Sequence, residues 1–325
     1  MIKFNYVGSK YRILDFIIPE IWPAKTLVDP FCGTCSVSYE AKKLGLRVVS
    51  GDYMLYPYNM ALSIIQNNTI TLDESDIKFL LSFKPSGIAA EIYGDIYLSR
   101  EVWDLIDGIR GGINKMKKEK RPLALAALSA AIITGHASMG DFTVKSMPWW
   151  DRVIRDKNKF IELFNKKVVS INSCVIPGDG RAFYCDAIET IKNNSADVLY
   201  LDPPYVTKYV RNYKHLYHVL ENLISNFKLE LRKDTKHPIP INLTNETTKR
   251  NIKNFIRKIL LSAQNYKRVL LSYNSNGVPC VDEMKKIFAD CGFTVFVKQT
   301  GIKYHITSNV ESKRGTELLY IATRA

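Results

Sequence analysis

The apolar run Val198-Leu199-Tyr200-Leu201 passes directly into Asp202-Pro203-Pro204-Tyr205. A short run of large apolar residues that ends at prolines reads as a buried strand. Such a strand needs cover from other elements. It must also stop here, because each proline fixes its own φ and restricts the residue before it. The strand thus ends in a rigid four-residue cup. The Asp202 carboxylate and the Pro203 carbonyl can both accept hydrogen bonds from one –NH₂ group. The Tyr205 ring offers a flat face on which a planar base can stack. Asp202, Pro203, Pro204 and Tyr205 are therefore candidate catalytic residues, with a purely structural Pro-Pro turn as the alternative.

Upstream, Leu27-Val28-Asp29-Pro30-Phe31-Cys32-Gly33-Thr34-Cys35-Ser36-Val37 reads as a short strand, a tight turn and the small-residue start of a helix. A strand-to-helix turn at the carboxyl edge of a parallel sheet is where an α/β fold binds a nucleotide-like ligand. Gly33 lets the backbone pass close to that ligand. About twenty residues on, Arg47-Val48-Val49-Ser50-Gly51-Asp52 is a second strand ending in a carboxylate, placed to accept hydrogen bonds from ribose hydroxyls. Each half alone is structural more often than functional. Their spacing, upstream of the cup, is what carries the reading.

The order Tyr6-Val7-Gly8-Ser9-Lys10, Asp29-Pro30-Phe31-Cys32-Gly33, Asp52 and Asp202-Pro203-Pro204-Tyr205 resembles the Dam-type (D12 class) DNA adenine-N6 methyltransferases. The closing segment Lys313-Arg314-Gly315-Thr316-Glu317-Leu318-Leu319-Tyr320-Ile321 is similar to the last hairpin of that family. The resemblance implies a Rossmann-like class I methyltransferase fold, α/β with a mixed seven-stranded sheet and an inserted, mainly helical target-recognition domain. It implies S-adenosyl-L-methionine as cofactor, with Tyr6, Lys10, Asp29, Pro30, Phe31, Gly33, Cys35, Asp52, Asp186 and Asp202 around it. Asp186 ends the third expected strand, where the family has an acid for the cofactor's adenine; a helix N-cap is its alternative role. Ser272-Tyr273-Asn274-Ser275-Asn276-Gly277 resembles the family's segment shaping the target pocket, and reads equally well as a structural turn.

One departure from the family stands in the cofactor turn. Cys35 occupies the usual place of the second glycine, where a side chain could narrow the pocket or shift the turn. It also creates Cys32-x-x-Cys35, which admits a redox or zinc reading. No second cysteine pair lies nearby in sequence, so that reading carries little weight. The six cysteines are scattered, and reduced thiols in a cytoplasm are the expectation.

The formal charge of +14 argues for a polyanionic partner, here double-stranded DNA, against the bland reading of a generic basic surface. No apolar run reaches membrane-spanning length, and the N-terminus has no secretory apolar core. No metal is expected, since methyl transfer needs none.

Periodicity predicts a helix over 10–21, strands over 26–31 and 47–52, and helices over 35–44 and 56–67. After a break at Asn67-Asn68-Thr69 the pattern becomes helical and polar, with an apolar helix over 123–133. Strands return at 182–186, 197–202 and 268–273, then a helix at 281–290 and a hairpin of 293–299 with 317–323. Residues 1–70 and 166–325 are thus expected to form the catalytic domain, and 71–165 the target-recognition insertion.

Lys145, Arg152 and Arg155 are candidate DNA contacts in the insertion, each as readily a solvated surface charge. The basic run Lys115–Arg121 is expected to be a mobile charged loop. Lys208 and Arg211 lie in a basic, aromatic stretch after the cup that suits a loop folding over a flipped base, or else a helix packed on the sheet. His215-x-x-His218 is a remote metal candidate.

The expected reaction is direct in-line methyl transfer to the N6 of an adenine rotated out of the duplex. A cytosine-C5 mechanism needs a Pro-Cys nucleophile after the fourth strand, and Pro279-Cys280 lies after the fifth. An RNA amino-methylating enzyme and a catalytically silent DNA binder remain as alternatives. The further expectations are a monomer on DNA, in a bacterial or phage-infected cytoplasm, with a cognate restriction endonuclease as a possible partner.

Overall fold

The computed structural model describes residues 9–136, 154–206, 217–231, 250–303 and 315–324. In chain order its strands are β1 (Thr26–Asp29), β2 (Arg47–Asp52), β3 (Gly180–Tyr184), β4 (Val198–Leu201), β5 (Arg268–Asn274), β6 (Phe293–Lys303) and β7 (Thr316–Arg324). The first helices are α1 (Leu14–Ile21), α2 (Ser36–Lys43), α3 (Leu55–Ala61), α4 (Glu74–Leu81), α5 (Ile88–Tyr93) and α6 (Arg100–Lys115). The others described are α7 (Arg121–Gly135), α8 (Lys157–Asn172), α9 (Ala187–Lys192), α10 (His218–Ile224), α11 (Ile252–Ser262) and α12 (Val281–Asp290).

Contacts divide the chain into two compact units. One comprises Lys10–Tyr53, Gly178–Asn212 and Asn242–Ala325; the other comprises Met1–Ser9, Met54–Pro177 and Tyr213–Ile241. The helical unit therefore takes in α3 and α10 as well as the expected insertion 71–165.

The first unit holds all seven described strands in the order β3-β2-β1-β4-β5-β7-β6. The first five strands of that order are parallel, and β7 enters antiparallel between β5 and β6. This is the mixed seven-stranded α/β sheet implied by the resemblance. Its order reverses between β1 and β4, so a crevice opens where those two strands end, the ordinary ligand position in such sheets. Asp197 fixes their alignment: it accepts hydrogen bonds from Lys25 N at 3.0 Å and Thr26 Oγ1 at 3.1 Å. The ends, Asp29 and Asp202, are thereby set side by side.

Strand alternation assigns the two faces. Val28, Leu199, Leu201, Val269, Leu271, Tyr273, Leu318 and Tyr320 share one core with α9, α11 and α12. Asp29, Tyr200, Ser272, Asn274 and Glu317 fall on the opposite face, where the Tyr200 and Ser272 hydroxyls meet at 2.9 Å. Their acidic members all lie at one edge of the sheet, because β7 runs antiparallel and starts where β5 ends.

Boundaries differ from the pattern in ways that backbone chemistry explains. β1 stops at Asp29 because Pro30 has no N–H for a ladder. The first helix opens as a 3₁₀ turn, Lys10–Ile13, before α1. α3 runs on into a π-helical turn, Leu62–Gln66. The break after it is an Asx turn, the Asn67 side chain accepting from Thr69 N and Ile70 N.

Among its described residues the second unit is helical. α7 is buried on nearly all sides, which is why its sequence is apolar without a polar stripe. Glu221 accepts from Leu55 N at 2.9 Å and Tyr56 N at 2.7 Å, satisfying the first turn of α3. Arg110 donates to the Leu223 and Ile224 carbonyls at the end of α10. The basic run 115–121 is not a free loop: it closes α6, forms a 3₁₀ turn over Lys118–Lys120 and starts α7. Its Lys120 ammonium lies 2.5 Å from Asp76 and 3.3 Å from Asp73. Among the described residues no helix is long and apolar enough to cross a membrane.

Candidate active site

The turn after β1 is built by backbone hydrogen bonds. Cys32 N donates to Gly51 O at 3.1 Å, and Cys35 N to Cys32 O at 2.6 Å. Gly33 (φ 51°) and Cys35 (φ 61°) both take left-handed conformations. Glycine does so freely; Cys35 does so at a cost of about 1 kcal/mol. The structure thus accounts for the family's glycine at this place and shows that the cysteine fits it, with its side chain fully buried. Burial pushes the thiols of Cys32 and Cys35 above their ordinary values, which keeps them protonated and unreactive.

Two carboxylates face this turn. Gly33 N donates to Asp52 Oδ2 at 3.3 Å. Asp29 is 1 % exposed and accepts from Ser38 Oγ at 2.7 Å, which itself receives the Ser50 hydroxyl at 2.8 Å. Phe31 N lies 3.4 Å from the other Asp29 oxygen. Burial raises the Asp29 pKa to about 7 against the pull of Ser38. Among the described residues no cation lies at ion-pair distance from Asp29. A buried carboxylate of this kind fits a ligand that brings its own positive charge, as S-adenosyl-L-methionine does. Pro30 is buried, and Phe31 packs edge-on against Phe255 with ring centroids 6.3 Å apart. Asp186 is exposed and caps α9 by accepting from Glu189 N at 2.9 Å. The helix-cap role is thus what its geometry displays.

At the end of β4 four groups meet. The Lys10 ammonium, 5 % exposed, lies 2.7 Å from Asp202 Oδ2 and 3.6 Å from Glu317 Oε1. It also stands 4.8 Å above the centre of the Tyr205 ring. The Tyr205 hydroxyl donates to Glu317 Oε1. Tyr205 in turn rests edge-on against Tyr273 at 5.0 Å. The chain leaving the cup is held by the turn after β5: Val278 N donates to Val206 O at 2.7 Å, and Tyr273 OH donates to the Val278 carbonyl. The Ser272–Gly277 segment therefore braces the cup. Desolvation raises the pKa of Asp202, with the Lys10 ammonium opposing it. Burial likewise raises Glu317, where Lys10 opposes and Asp202 adds to the rise.

The turn after β1, with the two acids that face it, thus stands beside the Asp202–Tyr205 turn, at the ends of adjacent strands. Residues 6–273 match the family of D12 class N6 adenine-specific DNA methyltransferases. The chain belongs to that family. It is 29 % identical to the type II methyltransferase M2.HphI of Haemophilus parahaemolyticus, over 98 % of this chain and 97 % of the relative. It is 25 % identical to the type II methyltransferase M.NlaIII of Neisseria lactamica, over 89 % of this chain and 88 % of that one. Against the modification methylase StsI of Streptococcus sanguinis identity is 22 %, over 98 % of this chain and 52 % of the relative.

Within this family member, Lys10, Asp29, Pro30, Phe31, Gly33, Cys35, Asp52 and the cup Asp202–Tyr205 are brought to one sheet edge. Tyr6, Lys145, Arg152, Lys208 and Arg211 lie outside the described residues. Arg155 is exposed in the helical unit, just before α8, and its carbonyl accepts from Ser99 Oγ at 2.8 Å. His218 is buried with its ring 3.3 Å from the Tyr97 hydroxyl, while His215 lies outside the described residues. Cys280 is exposed at the start of α12, remote in sequence from the cup. Sequence reasoning missed Glu317 as a site residue. The one signal was a single acid at the head of the apolar run Leu318-Leu319-Tyr320-Ile321, where burial demands a reason.

Proposed function

We propose that this chain methylates the N6 amino group of adenine at one short DNA sequence, with S-adenosyl-L-methionine as donor. The observation that carries the site assignment is the Lys10–Asp202 pair at the end of β4, next to the buried Asp29 at the end of β1. The cofactor supplies an electrophilic methyl group when bound. Asp29, Phe31, Gly33 and Asp52 would hold it: Asp29 toward its positive charge and Asp52 toward its ribose.

The adenine amino group is a weak nucleophile, because its lone pair is delocalised into the ring. Asp202 and the Pro203 carbonyl would accept its two N–H bonds, favour a pyramidal nitrogen and stabilise the charge that develops there. Lys10 engages Asp202 Oδ2 and holds the carboxylate at the end of β4. Pro203 and Pro204 fix the backbone of the cup, and Tyr205 gives the flipped base a face. Positioning and electrostatics supply most of the acceleration, and no covalent enzyme intermediate is needed. Lys145, Arg152, Arg155, Lys208 and Arg211 are proposed phosphate or base contacts. Residues 71–165 are the proposed target-recognition region. The chain would act as a monomer on DNA, in a bacterial or phage-infected cytoplasm, as the methylase of a restriction-modification system or alone.

The test is long-read methylation sequencing of DNA from cells expressing wild type or Asp202→Ala. N6-methyladenine at one short motif, absent in the variant, is the expected result. No new mark with wild type would refute the proposal and direct attention to structured RNA.

A further inference from the structure

Glu317 is the one member of the buried cluster with no part in the chemistry above. It is 1 % exposed, and the register places it opposite Asn274, at the sheet edge where the cup lies. Its Oε1 receives the Tyr205 hydroxyl and lies 3.6 Å from Lys10 Nζ. Its Oε2 is buried and has no hydrogen-bond partner among the described residues. Burying an acceptor without a partner costs stability, and a residue that served only to brace the hairpin would be better replaced by an apolar one. A carboxylate kept in such a place has a use for its charge.

We propose that Glu317 is a positioning residue for N6 methyl transfer, whose carboxylate holds the Tyr205 ring and shares the Lys10 ammonium with Asp202. The inference rests on the methyltransferase reading of the cup. The geometry has two consequences. First, the Tyr205 ring is fixed at both ends, by Tyr273 against its edge and by Glu317 at its hydroxyl. A stacking face that cannot swing keeps the base nitrogen in line with the donor. Second, one ammonium stands between two carboxylates. With only Asp202 present the Lys10 charge would cancel it. When Glu317 is ionised as well and shares that ammonium, the cluster carries a net negative charge, which opposes the positive charge arising on the nitrogen. That stabilisation is specific to the transition state, so its loss falls on turnover and spares affinity.

Glu317→Gln keeps the shape and an acceptor for the phenol but removes the charge. In single-turnover methylation of duplex DNA carrying the site, it is expected to slow transfer about 10- to 100-fold. The Kd for S-adenosyl-L-methionine and the KM for DNA should stay within about threefold of wild type, since uniform binding is unchanged. Tyr205→Phe should also slow transfer, and the double variant should be faster than the product of the two effects, because both break one unit. A Glu317→Gln rate within about twofold of wild type, or effects that simply multiply, would overturn the inference. Should Glu317→Gln fail to fold, Tyr205→Phe decides alone, a wild-type rate overturning it. Wild-type protein inactive on DNA would remove the proposed function as well, whereas an active wild type with an equally active Glu317→Gln removes this inference only.

Discussion

Asp29 shows how a single carboxylate can make a fold sensitive to pH. Its pKa is about 7 in the fold and 3.8 as a free side chain, with burial as the cause. The folded state therefore holds a proton that the unfolded chain has released, and stability falls as pH rises through that window. Below pH 4 the contribution is fully present; above about 7 it is lost. Asp29→Asn cannot titrate. Urea unfolding at pH 4.5 and 7.5 should show a stability gap between these pH values that is smaller in the variant by about 1–3 kcal/mol. An equal gap in both proteins would mean that Asp29 is ionised throughout. At this scale the placement of Asp29, Asp52 and Asp202 at strand ends was legible in sequence, because apolar runs and prolines mark those ends. Glu317 was not, since its partners Lys10 and Tyr205 come from distant segments.

Among elements, β2 and α9 pack closely at a glycine. A Cβ built on Gly51 would sit 2.5 Å from Thr190 Oγ1 and 2.8 Å from its Cγ2. The Thr190 hydroxyl is itself held by the Asp186 carbonyl at 3.0 Å, so it cannot turn away without loss. Gly51→Ala should therefore destabilise the protein by about 1–3 kcal/mol, read as a lower melting temperature, with Thr190→Ala restoring part of it. An unchanged melting temperature would show that the helix shifts freely. The strands agree with the sequence pattern to within a few residues, because fully apolar runs ending in turn residues leave few choices; their order in the sheet is not written in that pattern. The charged run 115–121 was misread as a loop. Its lysines are polar in any setting, and only the distant Asp73 and Asp76 give Lys120 a reason to be ordered.

Over the whole molecule, the charge of +14 sets how it meets DNA. Each phosphate neutralised releases a counterion, so affinity falls steeply with salt whatever the sequence. Non-specific duplex affinity should drop by about 10³-fold or more between 50 and 200 mM salt, measured by fluorescence anisotropy. A nearly flat dependence would mean that the positive charge is spread away from the DNA surface. The recognition sequence was not legible at any stage, because it depends on a few side chains of a region whose helical scaffold shows no periodic signature of base contact.

The cup is assembled from remote parts of the chain: Lys10 before α1, Asp202 after β4 and Glu317 in β7, the last described strand. A chain delivered only up to β6 lacks the strand that stands between β5 and β6, and with it the group that receives the Tyr205 hydroxyl. The Lys10–Asp202–Glu317 cluster therefore closes only once β7 has been laid into the sheet. A chain cut before β7 lacks both Glu317 and the strand that joins β6 to the rest of the sheet.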